Sequence, residues 1–481
     1  MEETGRTLNL AQATEELRSV AASPPVARLA QAFAAAGERL ALVGGPVRDV
    51  LLGRPAHDLD FTTSAHPDRI LQIVTPVSTA QWDIGRRFGT IGARVLGHTV
   101  EITTYRADSY DGESRKPEVV FGDTLETDLY RRDFTVNALA LELPQLRLVD
   151  PTGGVDDLLA GVLRTPAPPE ESFGDDPLRM LRAARFAAQL GLRVDEGALA
   201  AMSAMADRLR IVSAERIRDE LVKLLSADAP RRGLELLVDT GLAERFLPEL
   251  PALRLTRDAQ HRHKDVYEHS LTVLEQSIAL ERERAQPGGE PDVTGRLAAL
   301  LHDIGKPSTR RFEGGGVVTF HHHDVVGAKM AAKRLRELRF DADTTKAVAH
   351  LIELHLRFFG YADAEWTDSA VRRYVRDAGE ELSRLHILVR ADVTTQNRRK
   401  AARLHGAYDE LERRIAQLAA QEELEAVRPD LNGEQIMEIL GLRPGPEVGA
   451  AYRFLLELRL DEGPLGPEEA ERRLLSWWRE R

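Results

Sequence analysis

A change of periodicity at one proline cluster constrains this chain more than any other feature. Upstream of Pro166-Ala167-Pro168-Pro169, short runs that read as strands lie at 40–43, 59–63, 90–96, 99–105 and 146–149. Gly97-His98 stands between two of them as a hairpin turn. A helix is expected over 47–52, stopped by Gly53, and another from Pro25 to Gly37 behind a polar lead. Downstream the period becomes helical. Leu178, Leu181, Ala184, Arg185 and Ala188 share one face. Further helices are expected near 214–225, 230–240, 265–283, 294–303, 325–338, 344–356 and 380–420, with a last helical unit over 432–478. Loops are expected at Pro287-Gly288-Gly289 and Gly314–Gly316. The pattern predicts an α+β protein: a mixed sheet with helices first, then all-α segments. At roughly 150 residues per domain, 481 residues suggest about three domains. No fixed-period repeat is visible.

Charge narrows the partners. There are 77 acidic and 65 basic residues, a formal charge of −12. A polyanion would therefore have to be held by local basic patches. The bases are nearly all Arg, which suits bidentate recognition of phosphate. Cysteine is absent, so disulfides, thiolate zinc sites and cysteine nucleophiles are excluded. No stretch approaches the roughly 18 apolar residues of a membrane span. Met1-Glu2-Glu3-Thr4 is acidic and leads into no apolar signal core, so a cytoplasmic protein is expected.

The first chemical cluster lies in residues 42–63. A strand ends at Gly44-Gly45 and a helix begins at once. Glycines let the backbone approach a ligand, and free N–H groups at a helix start suit phosphate. Arg48, in the first turn, can pair with the same anion. Asp58 and Asp60 follow on a strand, two apart and therefore on one face. Two such carboxylates repel unless a cation lies between them. Hard oxygen ligands shared with phosphates favour Mg2+, the requirement of two-metal phosphoryl chemistry. Glu101, on the expected strand 99–105, is either a third carboxylate or a group supporting the pair.

This segment resembles the signature of the nucleotidyltransferase superfamily, in the form used by class II tRNA nucleotidyltransferases (CCA-adding enzymes) and bacterial poly(A) polymerases. Further matches follow in order. Asp128-Leu129-Tyr130-Arg131-Arg132-Asp133-Phe134-Thr135-Val136-Asn137-Ala138-Leu139-Ala140 resembles the ribose and triphosphate motif. The run from Asp150 to Leu158 resembles the hinge between head and neck. Asp175-Asp176-Pro177-Leu178-Arg179-Met180-Leu181-Arg182-Ala183-Ala184-Arg185-Phe186 resembles the base-selecting motif. Ala214-Glu215-Arg216-Ile217-Arg218-Asp219-Glu220 resembles the neck-stabilising one. The resemblance is dense over residues 40–250 and looser beyond, with a late segment at 431–447.

The resemblance implies transfer of C, C and A from CTP and ATP to the tRNA 3′ end, with Mg2+ and without a nucleic-acid template. It assigns Asp58 and Asp60 to the metals and Gly44, Gly45 and Arg48 to the triphosphate. Arg132, Asp133 and Asn137 would serve phosphate and ribose. Asp176 and Arg179, three apart on an expected helix, would select the base. Cytosine and adenine both present an exocyclic amine beside a ring-nitrogen acceptor. A carboxylate can accept from the amine while a guanidinium donates to the ring nitrogen. Guanine and uracil reverse that edge and leave buried groups unpaired, at roughly a few kcal/mol. Arg182 and Arg185 continue the face towards phosphate. The family often has Glu where this chain has Asp175, whose role stays open. Residues 106–127 match the family's flexible loop, tied to the switch from C to A addition; enzymes adding only two cytidines lack it.

A second cluster gathers histidines between 261 and 355. His269, the pair His302-Asp303 and the distant Asp392 resemble the metal ligands of the HD phosphohydrolase superfamily. The resemblance implies a divalent ion there (Mn, Ni, Co or Mg) and a phosphatase or cyclic phosphodiesterase activity. Histidines at 321–323, His350 and His355 could complete a second metal or bind phosphate. The expected division is a nucleotidyltransferase head (40–165), helical neck (166–255), HD domain (256–395) and a C-terminal helical tRNA-binding body (396–481). The alternatives are poly(A) synthesis, partial CC or A addition, an HD phosphohydrolase with a relic head, and a non-catalytic tRNA-binding protein. The sequence is silent on oligomeric state.

Overall fold

The computed structural model describes residues 10–480 except 57, 84, 107–120, 123, 255–264, 285–288, 314–316, 362–365, 395–396 and 423–427. The loops expected at 287–288 and 314–316 and most of the 106–127 loop lie outside the described residues. The chain divides into two compact units, Met1–Pro248 and Glu249–Arg481.

The first unit is built on a seven-stranded sheet: β1 (Leu40–Val43), β2 (Leu59–Thr63), β3 (Ala80–Trp82), β4 (Thr90–Val95), β5 (His98–Thr104), β6 (Ala140–Leu143) and β7 (Arg147–Val149). The spatial order is β3-β4-β5-β2-β1-β6-β7. Only β2 and β5 run parallel, with Asp60 opposite Glu101. The other neighbours are antiparallel. β1 reads Leu-Ala-Leu-Val and is buried throughout, as a central strand covered on both faces should be. Ala41, Val43, Tyr105, Leu125, Leu129, Ala138, Ala140 and Val149 form one core cluster against it.

Several elements differ from the sequence expectation. A helix, Leu10–Ala22, precedes Pro24–Ala35 within the supposed polar lead. Its buried residues Ala13, Leu17 and Ala21 recur every four positions among charged neighbours. The β4–β5 turn is Leu96-Gly97 rather than Gly97-His98: both residues have positive φ (49° and 87°) and Val95 pairs with His98. That is the twist a two-residue hairpin loop demands. β3 and β6 were not expected as strands. The proline cluster lies between ordered elements. Val162–Leu163 pairs with Arg193–Val194, and helix Pro169–Asp175 begins directly after Pro168.

Behind the sheet, helix Leu178–Leu190 packs against helices Ala214–Leu225 and Arg231–Asp239. Among its described residues the second unit is helical apart from the antiparallel strand pair Arg311–Glu313/Val317–Thr319. Helix Val266–Arg284 packs on Val293–Leu301 and Leu382–Ala391, and His323–Glu337 packs on Ala342–Leu354. The expected helix 380–420 is two, Leu382–Ala391 and Arg398–Glu422. The last unit is three helices, Gly433–Leu440, Pro446–Glu462 and Pro467–Arg479. They close over Leu431, Ile436, Ala451, Leu455, Ala470 and Leu474, and Asn432 and Gln435 form a capping box at their start. Among the described residues no helix is long and apolar enough to cross a membrane.

Candidate functional site

β1 delivers the chain to Gly44, whose φ of 77° is costly for any residue with a Cβ. Helix Gly45–Leu51 starts there. The Arg132 guanidinium lies over the turn: a Cβ on Gly44 would stand 3.2 Å from Nη1 of Arg132. Nε of Arg132 is buried and makes no hydrogen bond among the described residues. Asp58 is exposed just before β2, Asp60 half-buried within it, and Glu101 stands beside Asp60 on β5. Burial, then Glu101, then Asp58 push the Asp60 carboxyl up to about 6, against the pull of Arg132. The three carboxylates thus crowd charge that their protein neighbours do not neutralise, and a hard divalent ion fits such a donor set.

Asp128 holds this region together and was not singled out by sequence reading. It is wholly buried and accepts from Arg131 Nη2 (2.6 Å), Arg132 Nη2 (3.1 Å), Thr62 Oγ1 (3.2 Å) and the Arg106 N–H (3.2 Å). Burial opposes its charge, but Arg132 and Arg131 outweigh that and hold its carboxyl below the usual range.

A chain of hydrogen bonds runs from the helix that starts at the Gly44 turn to helix Leu178–Leu190. Arg48 Nη1 donates to Asn137 Oδ1 (2.6 Å), and Asn137 Nδ2 donates to Asp133 Oδ1 (3.0 Å). Arg182 donates to Asp133 Oδ2 through Nε (2.8 Å) and Nη2 (2.6 Å). Burial works against the Asp133 charge, yet Arg182 and the Asn137 bond hold it at about 2. Glu220, from helix Ala214–Leu225, takes Arg185 at 2.7 Å and Arg182 at 3.7 Å. Arg48, Arg182 and Arg185 all approach the ring of Phe186, at 5.2, 5.3 and 4.0 Å. Arg185 is therefore engaged by Glu220 and Gln189 rather than extended along the face.

Asp176 and Arg179 do not share a helix. Asp176 is extended (φ −139°, ψ 100°) and ends helix Pro169–Asp175; Pro177 begins the next one. The residue before proline avoids the α region, which explains the break. Asp176 Oδ1 accepts the Leu178 N–H (3.1 Å) and Oδ2 accepts from Arg216 (2.7 Å). Arg179 is buried and donates to Ser172 Oγ (2.8 Å) and the Arg131 carbonyl (2.7 Å).

The second unit gathers four imidazoles and two carboxylates. His269, His302 and Asp392 form one triad, and Asp303, His323 and His355 another. Most of these residues sit at helix ends: His302, His355 and Asp392 immediately follow helices, and His323 opens one. Three rings are oriented alike by Nδ1–H bonds to backbone carbonyls: His302 to Ala299, His323 to Phe320 and His355 to Ile352. That arrangement frees Nε2 as a ligand atom. His269 Nε2 lies 2.9 Å from Asp392 Oδ1 and 3.3 Å from His302 Nε2. Asp303 Oδ1 and His323 Nε2 are buried 3.4 Å apart and neither has a hydrogen-bond partner among the described residues. Orphaned atoms of this kind fit a cation between them. Burial disfavours charge on Asp303, but His302, His323 and Lys306 hold its carboxyl well below the usual range. Burial, then His302, pushes the His355 imidazole down to about 4, so it is neutral and ligand-competent at pH 7. Gly305 makes this possible: a Cβ there would stand 2.2 Å from the His323 carbonyl. His321 is exposed near Glu313, and His350 bonds the Asp377 carbonyl, so neither joins the cluster.

Known families match in the same order. The family described as Poly A polymerase head domain matches residues 40–164. Probable RNA and SrmB- binding site of polymerase A matches 191–253, and HD domain matches 266–397. The A-adding tRNA nucleotidyltransferase of Deinococcus radiodurans is 36% identical over 456 residues, 92% of this chain and 95% of that protein. The CC-adding tRNA nucleotidyltransferase of Thermus thermophilus is 33% identical over 445 residues, 91% and 93%. The CCA-adding enzyme of Lactobacillus helveticus is 40% identical over 210 residues, 44% and 51%. The fold is that of the Bacillus stearothermophilus CCA-adding enzyme crystallised with CTP: TM-score 0.69, 24% identity, 95% and 99% coverage.

Proposed function

Since this chain belongs to the tRNA nucleotidyltransferase family, we propose that it adds C, C and A in turn to the 3′ end of tRNA from CTP and ATP. The observation that carries this reading is the crowded carboxylate set Asp58, Asp60 and Glu101 beside the Gly44 turn. Asp58 and Asp60 would hold Mg2+, which would supply Lewis-acid activation for the terminal 3′-OH and positive charge for the triphosphate. Gly44, Gly45, Arg48 and Arg132 meet the triphosphate. Asp133 and Asn137 tie that end to Arg182. Asp176 accepts from the exocyclic amine of C or A while Arg179 donates to the ring nitrogen. The 3′-oxygen bonds to the α-phosphorus and pyrophosphate leaves. Residues 40–165 act as the head, 166–255 as the neck, 256–395 as the HD domain and 396–481 as the tRNA-binding body, in the cytoplasm.

One observation favours a second reading, partial addition: the relatives that match almost end to end are an A-adding enzyme in Deinococcus and a CC-adding enzyme in Thermus. The two readings separate by offering tRNA ending at the discriminator base, at C or at CC, with each nucleotide alone and together, and sequencing the 3′ ends. Full CCA on the shortest acceptor supports the first. Extension of the CC acceptor only, with ATP only, or arrest after two cytidines with all nucleotides present, supports the second.

The HD cluster supports a second, separate site. His269, His302, Asp303 and Asp392 hold a divalent ion, with His323 and His355 completing the set. An ion held there would supply Lewis-acid polarisation of a phosphate ester. Metal content after dialysis, together with turnover of a generic phosphomonoester and a 2′,3′-cyclic nucleotide, tests it.

A further inference from the structure

We propose that Arg216 is a specificity-determining positioning residue: by clamping the Asp176 carboxylate it makes the base site intolerant of U and G. The inference rests on the reading of Asp176 and Arg179 as the base selector. Asp176 stands between two helices, on extended backbone, where no helix restrains its side chain. Two donors from different places fix its carboxylate. The Leu178 N–H holds Oδ1 at 3.1 Å and Arg216 Nη2 holds Oδ2 at 2.7 Å. Arg216 reaches across from the first turn of helix Ala214–Leu225, which Ser213 caps. Its partner Arg179 is restrained as firmly, by Ser172 Oγ and the Arg131 carbonyl.

An ionised carboxylate has about four acceptor sites and no donor. With one site on each oxygen taken by protein, the remaining lone pairs point in set directions. An exocyclic amine can donate to them. The carbonyl of U or G, brought to the same place, meets an acceptor that cannot turn away. Discrimination then comes from the penalty on the wrong base as much as from contacts to the right one. Without Arg216 the carboxylate rotates about its last torsion, and a carbonyl edge escapes much of that penalty. Arg182 feels the Asp176 charge but is itself committed to Asp133 and Glu220, so it does not replace the clamp.

Both partners are open to solvent, with 53% of the Arg216 side chain exposed and 27% of that of Asp176. Such pairs contribute little to stability, so Arg216 can be removed without unfolding the neck. The test is nucleotide competition on tRNA acceptors with wild type, Arg216→Ala, Arg216→Lys and Asp176→Ala, with kcat and KM determined for each of the four nucleotides. The expected result for Arg216→Ala is a rise of about tenfold in UTP or GTP incorporation relative to CTP and ATP, with the melting temperature unchanged. Arg216→Lys, which keeps one charged donor, should recover part of the selectivity. If Arg216→Ala slows all four nucleotides equally, Arg216 is only a structural pair and the proposal is overturned. Unchanged selectivity in Arg216→Ala with altered selectivity in Asp176→Ala overturns the clamp and leaves the base selector standing. Unchanged selectivity in both overturns the selector reading and the clamp with it.

Discussion

Replacing Asp60 by Asn should stabilise the metal-free protein while abolishing nucleotide addition. The folded-state carboxyl of Asp60 titrates near 6, against 3.8 for an ordinary Asp, because burial, Glu101 and Asp58 all disfavour its charge. Between those values the folded state binds the proton that the unfolded chain has released. The slope of stability with pH is therefore negative across about pH 4 to 6 and flat above. A gap of roughly two units at 1.36 kcal/mol each makes the cost about 3 kcal/mol at pH 7, before any metal binds. Asn has the same shape and no charge, so Asp60→Asn escapes that cost. The two proteins should match near pH 4 and diverge to about 3 kcal/mol by pH 7. The assay is hydrogen exchange in EDTA over peptides covering β2 and β5, corrected for intrinsic pH dependence. Adding Mg2+ should protect wild type and not the variant, because binding to the folded state alone adds stability by mass action. Glu101→Gln should narrow the gap, since Glu101 is the largest charge effect on Asp60. A pH-independent difference, or Mg2+ protection of Asp60→Asn equal to wild type, would refute the reasoning.

Arg179→Ala should relax selection against UTP and GTP and slow C and A addition together, read by competition, with circular dichroism checking that loss of its Ser172 and Arg131 bonds leaves the neck folded. Asp303→Ala should abolish divalent binding in the second unit, measured by metal content, while leaving tRNA extension near wild type, because the carboxylates proposed for that reaction lie in the other unit. Gly44→Ala should raise KM for CTP and ATP alike and cost on the order of 1–2 kcal/mol, from its positive φ and the crowding of Arg132; equal KM values would separate Arg132 from the triphosphate.

Period and motif made the mixed-sheet head and the helical remainder legible, because strand and helix spacings differ and the proline cluster separates them. The histidines and carboxylates around His302-Asp303 were legible by residue type, but not which of the later histidines join them. His321, His322 and His323 are equivalent in sequence; only the helix start at His323 turns that ring inward. Asp128 and Glu220 escaped notice because a buried carboxylate that organises arginines looks, in sequence, like any surface charge. Asp176 was placed on a helix because its spacing to Arg179 suits one. The signal against that was the following Pro177, a local steric effect that outweighed the pattern.

The path Arg48–Asn137–Asp133–Arg182–Glu220–Arg185 bears on how this chain can diverge. Deleting one member of a buried ion pair strands the other and costs roughly 3–5 kcal/mol. Neighbouring members of such a path do not add independently. A single substitution at Asp133 or Glu220 is thus blocked even where a matched pair of changes would be harmless. The Gly44 turn and helix Leu178–Leu190 must drift together, as one evolutionary unit, although more than a hundred residues separate them along the chain.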